Sequence, residues 1–335
     1  MTKIFMRCLL VAAGAVCAFP ALAADQVTVQ LDYEIRGNHG MFFLAKSEGL
    51  FAKEGIDVTA INKGQGSVNT MRIIGSDAAE FGFGDLPTLI IARSQNTPVV
   101  AIAAVNQQSP MAMISLAKSP LKTPKDLEGR AIGVFPAGST FIFMKAFTAA
   151  NHLDMSKIEV RTITPPSESF LLLNRVDVIP GYIDAEVPEL EAKAGGPGSL
   201  SMLLGRDNGV VSFGSGVVTS EKMIQTKPDL VRRFMRAYLQ AFAETIKDPG
   251  KTADAIIAAA PEYKDKKDVL VAQLRADIAE TFMSPATKQN GLGYMSPQTA
   301  KATVDLLVSQ GVLKETIDTT KAFDNQFIGP TAPKM

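Results

Sequence analysis

Short apolar runs alternate along the chain with longer stretches in which apolar positions recur every three or four residues. Val27–Leu31, Ile56–Ile61, Ala79–Gly84, Val99–Val105, Met111–Ala117, Ala131–Phe135, Ile158–Ile163, Val176–Pro180, Leu200–Leu204 and Val217–Thr219 read as strands. Between them the 3.6-residue period predicts helices over Gly40–Lys53, from Ser67 through Ile74, and over Phe141–Ala150, Ser167–Leu173 and Val187–Ala194. From Pro228 the pattern turns almost wholly helical: Pro228–Ile246, Thr252–Ala259, Lys267–Phe282 and Ser296–Gln310. Strands and helices in alternation predict an α/β fold on parallel-type sheets, not an all-β fold or a bundle.

In such sheets, ligands gather beyond the carboxyl ends of strands, where loops lead into helix N-termini. The first such loop carries Asp32, Tyr33, Arg36, Asn38 and His39. A phenol stacks on a flat ligand, while amide and imidazole give directional hydrogen bonds. The plainer alternative is that Asp32 or Asn38 caps the next helix and His39 is a surface residue. Arg36 is expected in solvent, where a long side chain can keep its charge. Gly66-Ser67 and Gly138-Ser139-Thr140 open two later helices, where free backbone N–H groups and hydroxyls suit an anion or simply cap the helix. Neither loop is a nucleotide-phosphate motif. Gly84 allows close approach of a ligand to the backbone, and Asp85 before Leu86-Pro87 is placed either to bind or to cap. Tyr182 and Glu186 meet across one turn if the helix has begun by Asp184; otherwise Asp184, Glu186, Glu189 and Glu191 are an acidic first turn favoured by the helix dipole. Phe135, Phe141 and Phe143 are read as core.

Composition narrows the chemistry. Lys3 and Arg7, an apolar run from Cys8 to Phe19 and Ala21-Leu22-Ala23 predict a cleaved export signal over Met1–Ala23, too short an apolar run for a membrane span. Both cysteines, Cys8 and Cys17, lie inside it, so the mature chain has no thiol nucleophile, disulfide or thiolate metal site. Without Lys3 and Arg7 there remain 32 basic against 34 acidic residues, a formal charge of −2. That near-neutral balance does not support nucleic-acid or anionic-membrane binding. With two histidines, there is no H-E-x-x-H, no G-x-S-x-G and no credible triad.

The succession LDYEIRGNHGMFFLAKSEGLFAKEGIDV, GSVNTMRIIGSDAAEFGFGD, TPKDLEGRAIGV, NRVDVIPGYIDAEVPELEAKAG and KPDLVRRFMRAYLQAF…KDPGKTADAI, in this order over nearly the whole mature chain, resembles the NMT1/THI5-like solute-binding proteins of ABC importers. The resemblance implies a bilobed periplasmic-binding-protein type II-like fold, two three-layer α/β/α lobes joined by two crossing segments. Lobe I would be residues 24–113 and 214–335, and lobe II the inserted residues 114–213, with crossings near Gln107–Met113 and Val211–Ser215. It implies a monomeric periplasmic protein without a cofactor, working with a permease and an ATPase. In family members that take thiamine-related pyrimidines, a tyrosine and a glutamate from the Tyr182–Glu186 region contact the heterocycle. Two departures stand out: Tyr33 where a tryptophan is frequent, and Asn174-Arg175-Val176-Asp177-Val178 where glycine usually leads. The expected ligand is a flat nitrogenous heterocycle; a small anion such as a sulfonate, taurine, nitrate or an aromatic carboxylate stays open. A pyrimidine-forming synthase and a sensory receptor are the alternative classes. The synthase branch relies on a cysteine-rich iron motif that the mature chain lacks.

Overall fold

The computed structural model describes residues 23–329 and residue 333. The expected export signal, with both cysteines, therefore lies outside the described residues except for Ala23. The strands are β1 (Asp25–Gln30), β2 (Ile56–Asn62), β3 (Phe81–Asp85), β4 (Val99–Ala104), β5 (Met111–Leu116), β6 (Ala131–Val134), β7 (Glu159–Thr162), β8 (Val178–Tyr182), β9 (Leu200–Leu204) and β10 (Ser215–Ser220). They form two five-stranded sheets, ordered β2-β1-β3-β10-β4 and β7-β6-β8-β5-β9. The sheets are mixed, not purely parallel. β10 runs antiparallel to β3 and β4, and β5 antiparallel to β8 and β9. These two strands are the ones that follow a passage from one sheet to the other, and each enters its sheet against the direction of its neighbours.

Apolar side chains cover both faces of both sheets, giving two α/β/α lobes. The twenty-residue helix Pro228–Lys247 shows how the period becomes packing. Leu230, Val231, Phe234, Tyr238 and Phe242 lie along one stripe, three or four residues apart, and all are buried. Phe234 stacks on Phe81 of β3 with ring centroids 3.6 Å apart. Burying each such side chain contributes about 1.5–3 kcal/mol.

The expected boundary after Met113 is corrected, because it would cut β5, which pairs with the second sheet from Met111 onward. The chain crosses between Ala104 and Met111 and returns between Leu204 and Ser215. The two passages are bound to each other: Val105 and Asn106 donate N–H to the Ser215 carbonyl (2.9 and 3.0 Å), Gly214 to Asn106 (3.0 Å) and Ser109 to Ser212 (2.8 Å). Other boundaries also moved. The long first helix is broken into Gly40–Ser47 and Leu50–Lys53 by Gly49, whose φ of 67° a helix interior cannot contain. The strand expected at Val176–Pro180 lies at Val178–Tyr182, which puts Tyr182 at a strand end and starts the next helix at Glu186.

Candidate functional site

Loops at the strand ends of the two lobes face one another across a cleft of about 700 Å³, part of it open to solvent. Gly66 of one wall comes so close to Ala137 of the other that the cleft is a slot. Eleven of the thirteen residues proposed from the sequence line it: Asp32, Tyr33, Asn38, His39, Gly66 and Ser67 from the first lobe, and Gly138, Ser139, Thr140, Tyr182 and Glu186 from the second. Gly84 and Asp85 do not. A Cβ at Gly84 would meet Met71 Cε at 2.8 Å, so the missing side chain makes room for the core, not for a ligand. Asp85 caps the helix Leu86–Ser94 through Thr88 N (2.9 Å), as its sequence position allowed, and lines a neighbouring cavity instead.

The first lobe's wall is a tied framework. His39 Nδ1 accepts from the Arg36 N–H (3.1 Å), so its proton sits on Nε2, which donates to Asp32 Oδ1 (3.0 Å). Ser67 Oγ donates to Asp32 Oδ2 (3.1 Å) and accepts from the Asp85 N–H (3.1 Å). Both imidazole nitrogens are thus used within the protein. The hydrogen-bonding role expected of His39 becomes a positioning one, reinforced by its edge-on contact with Phe83 (centroids 5.0 Å apart). The hydroxyls of Ser67 and Ser139 do not cap their helices. Gly66 and Gly138 occupy the cap positions, and each serine is the first residue inside. Gly66, at φ 103°, sits where a Cβ would lie 2.5 Å from the Ala137 carbonyl oxygen of the opposite lobe. Asn38 Oδ1 is buried without a protein partner.

On the second lobe, Ser139 Oγ and Tyr182 OH lie 2.8 Å apart. Glu186 Oε2 accepts the Tyr182 N–H at 2.7 Å. The Glu186 carboxyl is pushed up to about 7 by burial, with the Arg36 charge pulling the other way. Burial, and then the charges of Glu186 and Glu168, hold the Tyr33 phenol well above its ordinary value, so it remains a donor.

Arg36 corrects an expectation. It is not in solvent but 7% exposed, with Nη2 2.6 Å from Glu168 and 3.6 Å from Glu186, and Nη1 3.8 Å from Glu189. All three carboxylates belong to the other lobe. Its guanidinium also stands 5.4 Å from the centre of the Tyr33 ring. Glu189 carries the contact outward to Lys193 and Lys266, both at 2.8 Å. Burial alone would raise Glu189, but these ammonium groups hold it at about 2. A further bridge between lobes is the buried pair Asp184 and Asp277. Asn106 Nδ2 lies 3.2 Å from the first and 2.7 Å from the second. Burial raises both carboxyls, and the charge of Asp184 adds to the effect on Asp277.

Sequence reasoning did not single out Phe135, Ile163, Pro165, Ser167 or Ser215 as lining residues. A signal existed for Ser167, since it follows β7 and stands at the start of a helix, the arrangement used to choose the other loops. Among the described residues no group of three or more His, Cys, Asp or Glu could hold a metal ion, and no helix is long and apolar enough to cross a membrane.

Residues 36–252 match the family described as NMT1/THI5 like. The chain belongs to the NMT1/THI5-like family. It is 27% identical over 321 residues to the riboflavin-binding protein RibY of Chloroflexus aurantiacus, covering 95% of this chain and 89% of that one. It is 23% identical over 237 residues to the formylaminopyrimidine-binding protein of Halalkalibacterium halodurans, covering 70% and 71%. Relatives named as 4-amino-5-hydroxymethyl-2-methylpyrimidine phosphate synthases, in Legionella pneumophila and in Saccharomyces cerevisiae, stand at 21–22%. The alkanesulfonate-binding protein SsuA of Xanthomonas axonopodis pv. citri superposes with a TM-score of 0.68 at 16% identity, over 90% of this chain and 99% of that one. At that identity the likeness establishes the NMT1/THI5-like chain's fold alone.

Proposed function

We propose that this protein is the exported, periplasmic solute-binding component of an ABC importer, closing its two lobes on a flat nitrogen heterocycle rich in hydrogen-bond donors. The observation that carries the reading is the polarity of the slot. Its walls offer acceptors in Asp32, Asn38 Oδ1 and Glu186. Arg36, the one Lys or Arg among the described lining residues, is already held by three carboxylates. A heterocycle with ring and exocyclic N–H groups complements such walls, and Tyr33 and Phe135 supply aromatic surface for a planar ring. The binding-protein names of the two relatives reported above agree with it. Closure is stabilised by contacts that the ligand makes with both lobes at once.

Native mass spectrometry of protein purified from its own host should find a co-purified heterocycle, and calorimetry should show it binding while sulfonates, taurine and nitrate do not. Tyr33→Ala and Glu186→Ala should each weaken that binding and leave the melting temperature of the unliganded protein nearly unchanged. Tight sulfonate binding with no heterocycle response overturns the ligand class. The synthase names of some relatives favour a second reading, catalysis. Incubation followed by product analysis decides, since a binding protein returns its solute unaltered.

A further inference from the structure

Beside the slot lies a second cavity of about 330 Å³, formed where the helix Ser139–Ala150 of the second lobe faces the helix Pro297–Ser309 of the first. Ile142, Phe143 and Ala146 line it from one side, and Leu306 and Leu307 from the other. Ser139, whose hydroxyl lies 2.8 Å from the Tyr182 phenol, lines both cavities. One ionisable group borders this otherwise largely apolar space, Asp85, which is 1% exposed. Its Oδ2 takes both Thr88 N (2.9 Å) and Thr88 Oγ1 (2.6 Å), while Oδ1 has no protein partner. A cap needs one oxygen; the other is a polar atom buried against an apolar chamber. Such an atom costs about 1–3 kcal/mol unless something meets it.

We propose that this chamber is a second part of the ligand site, taking an apolar extension of the solute, a fused ring or alkyl substituent, whose polar edge hydrogen-bonds to the free oxygen of Asp85. The inference rests on the slot being the solute site and adds the size of the solute: more than a single ring. Burial, with the charge of Asp32 adding to it, pushes the Asp85 carboxyl up to about 7. Near neutrality it can therefore carry a proton and donate to a ring carbonyl or ring nitrogen, or lose it and accept an N–H.

The test uses two probes, riboflavin with its fused three-ring system and 4-amino-2-methylpyrimidine with one ring, against three proteins. Leu306→Phe fills the chamber from a half-buried position that lines the chamber and not the slot; Asp85→Asn keeps a capping oxygen for Thr88. The expected result is that Leu306→Phe weakens riboflavin binding at least tenfold and changes the single-ring affinity less than twofold. Asp85→Asn should reduce the dependence of riboflavin affinity on pH between 6 and 8 and leave that of the single-ring probe, which meets Glu186 but not Asp85, unchanged. Nuclear Overhauser contacts from the ring methyls of riboflavin to the side-chain methyls of Ile142 and Leu306 should accompany wild-type binding. Equal losses for both probes, no loss for either, or contacts confined to the Tyr33 side overturn the inference and leave the slot reading intact. A wild type that binds neither probe overturns both.

Discussion

Replacing Arg36 by methionine is the sharpest probe of how the lobes hold together. The side chain keeps its apolar reach but loses the guanidinium that sits 2.6 Å from Glu168 and within 4 Å of Glu186 and Glu189. Removing one partner from a buried ion pair costs roughly 3–5 kcal/mol, because the remaining charge stays buried and unpaired. The three carboxylates do not bear this equally. Glu189 keeps Lys193 and Lys266. Glu186, already at about 7, sheds its charge by taking up a proton. Glu168, 2% exposed, bears most of the loss.

The pair spans the two lobes, so opening lets water reach the stranded carboxylate. The penalty then falls on the closed form alone. A cost confined to the binding-competent form lowers affinity by one decade per 1.4 kcal/mol, here roughly a hundredfold to a few thousandfold. The unliganded protein, free to open, should lose no more than about 1 kcal/mol, a shift of roughly 2–4 °C in melting temperature. Calorimetry gives the affinity, scanning calorimetry the stability and small-angle scattering the open fraction. Glu168→Gln added to Arg36→Met should restore much of the lost affinity, since the stranded charge is then gone. The reasoning fails if Arg36→Met binds within a few-fold of wild type, or if the whole loss appears in the melting temperature and the double variant recovers nothing.

Two other perturbations follow from the same contacts. Gly66→Ala should both lower the melting temperature, because φ 103° strains an L-residue by about 1–3 kcal/mol, and reduce ligand affinity more than tenfold, because its Cβ would press on the Ala137 carbonyl across the slot; binding titration and a melting curve read the two effects separately. For Asp184 and Asp277 the folded protein holds protons that the unfolded chain gives up above ~3.8, so their contribution to stability is greatest at acid pH and is lost as pH rises through their raised folded values. Asp277→Asn should remove that part of the slope, so the wild-type melting temperature, measured from pH 4 to 9, should fall relative to the variant as pH increases; parallel curves would show that the pair does not titrate in this range.

What the sequence disclosed, and what it hid, divides by distance along the chain. The strand-loop-helix pattern placed Asp32 to His39, Gly66-Ser67, Gly138 to Thr140 and Tyr182 to Glu186 at one end of two sheets, because the rule for strand ends needs only local order. The fate of Arg36 was hidden because its principal partner, Glu168, lies 132 residues away in the other lobe. A guanidinium read from its neighbours alone looks solvated. Asp85 was read as placed either to bind or to cap, and the local signals for a cap were correct, but which cavity the residue borders is decided by the facing helix Pro297–Ser309, more than two hundred residues later. His39 was legible as a hydrogen-bonding residue of the first loop but not in its role, since only the folded loop shows that Arg36 N–H and Asp32 occupy both ring nitrogens. Gly49 was passed over: the helix read over Gly40–Lys53 breaks at it, as an αL residue must break one.

The choice between a heterocycle and an anion turns on hydrogens as much as on charge. Helix starts at Ser67 and Ser139 offer N–H groups to an oxyanion, and in an otherwise neutral cleft that would suffice. Here the same cleft carries the Asp32 and Glu186 carboxyls against one guanidinium, which Glu168 already holds, with the Asp184–Asp277 pair bridging the lobes close by. Asn38 Oδ1, in the cleft wall, is a buried acceptor that no protein donor meets. A sulfonate brings no hydrogen to it, so closing on one would leave about 1–3 kcal/mol unsatisfied there. An aminated ring supplies N–H groups in a plane, which is what a slot with close walls admits. The walls thus select by the acceptor they leave open: Asn38 Oδ1 has no protein donor and the Arg36 guanidinium is already held by carboxylates, so a solute that brings its own hydrogens is favoured.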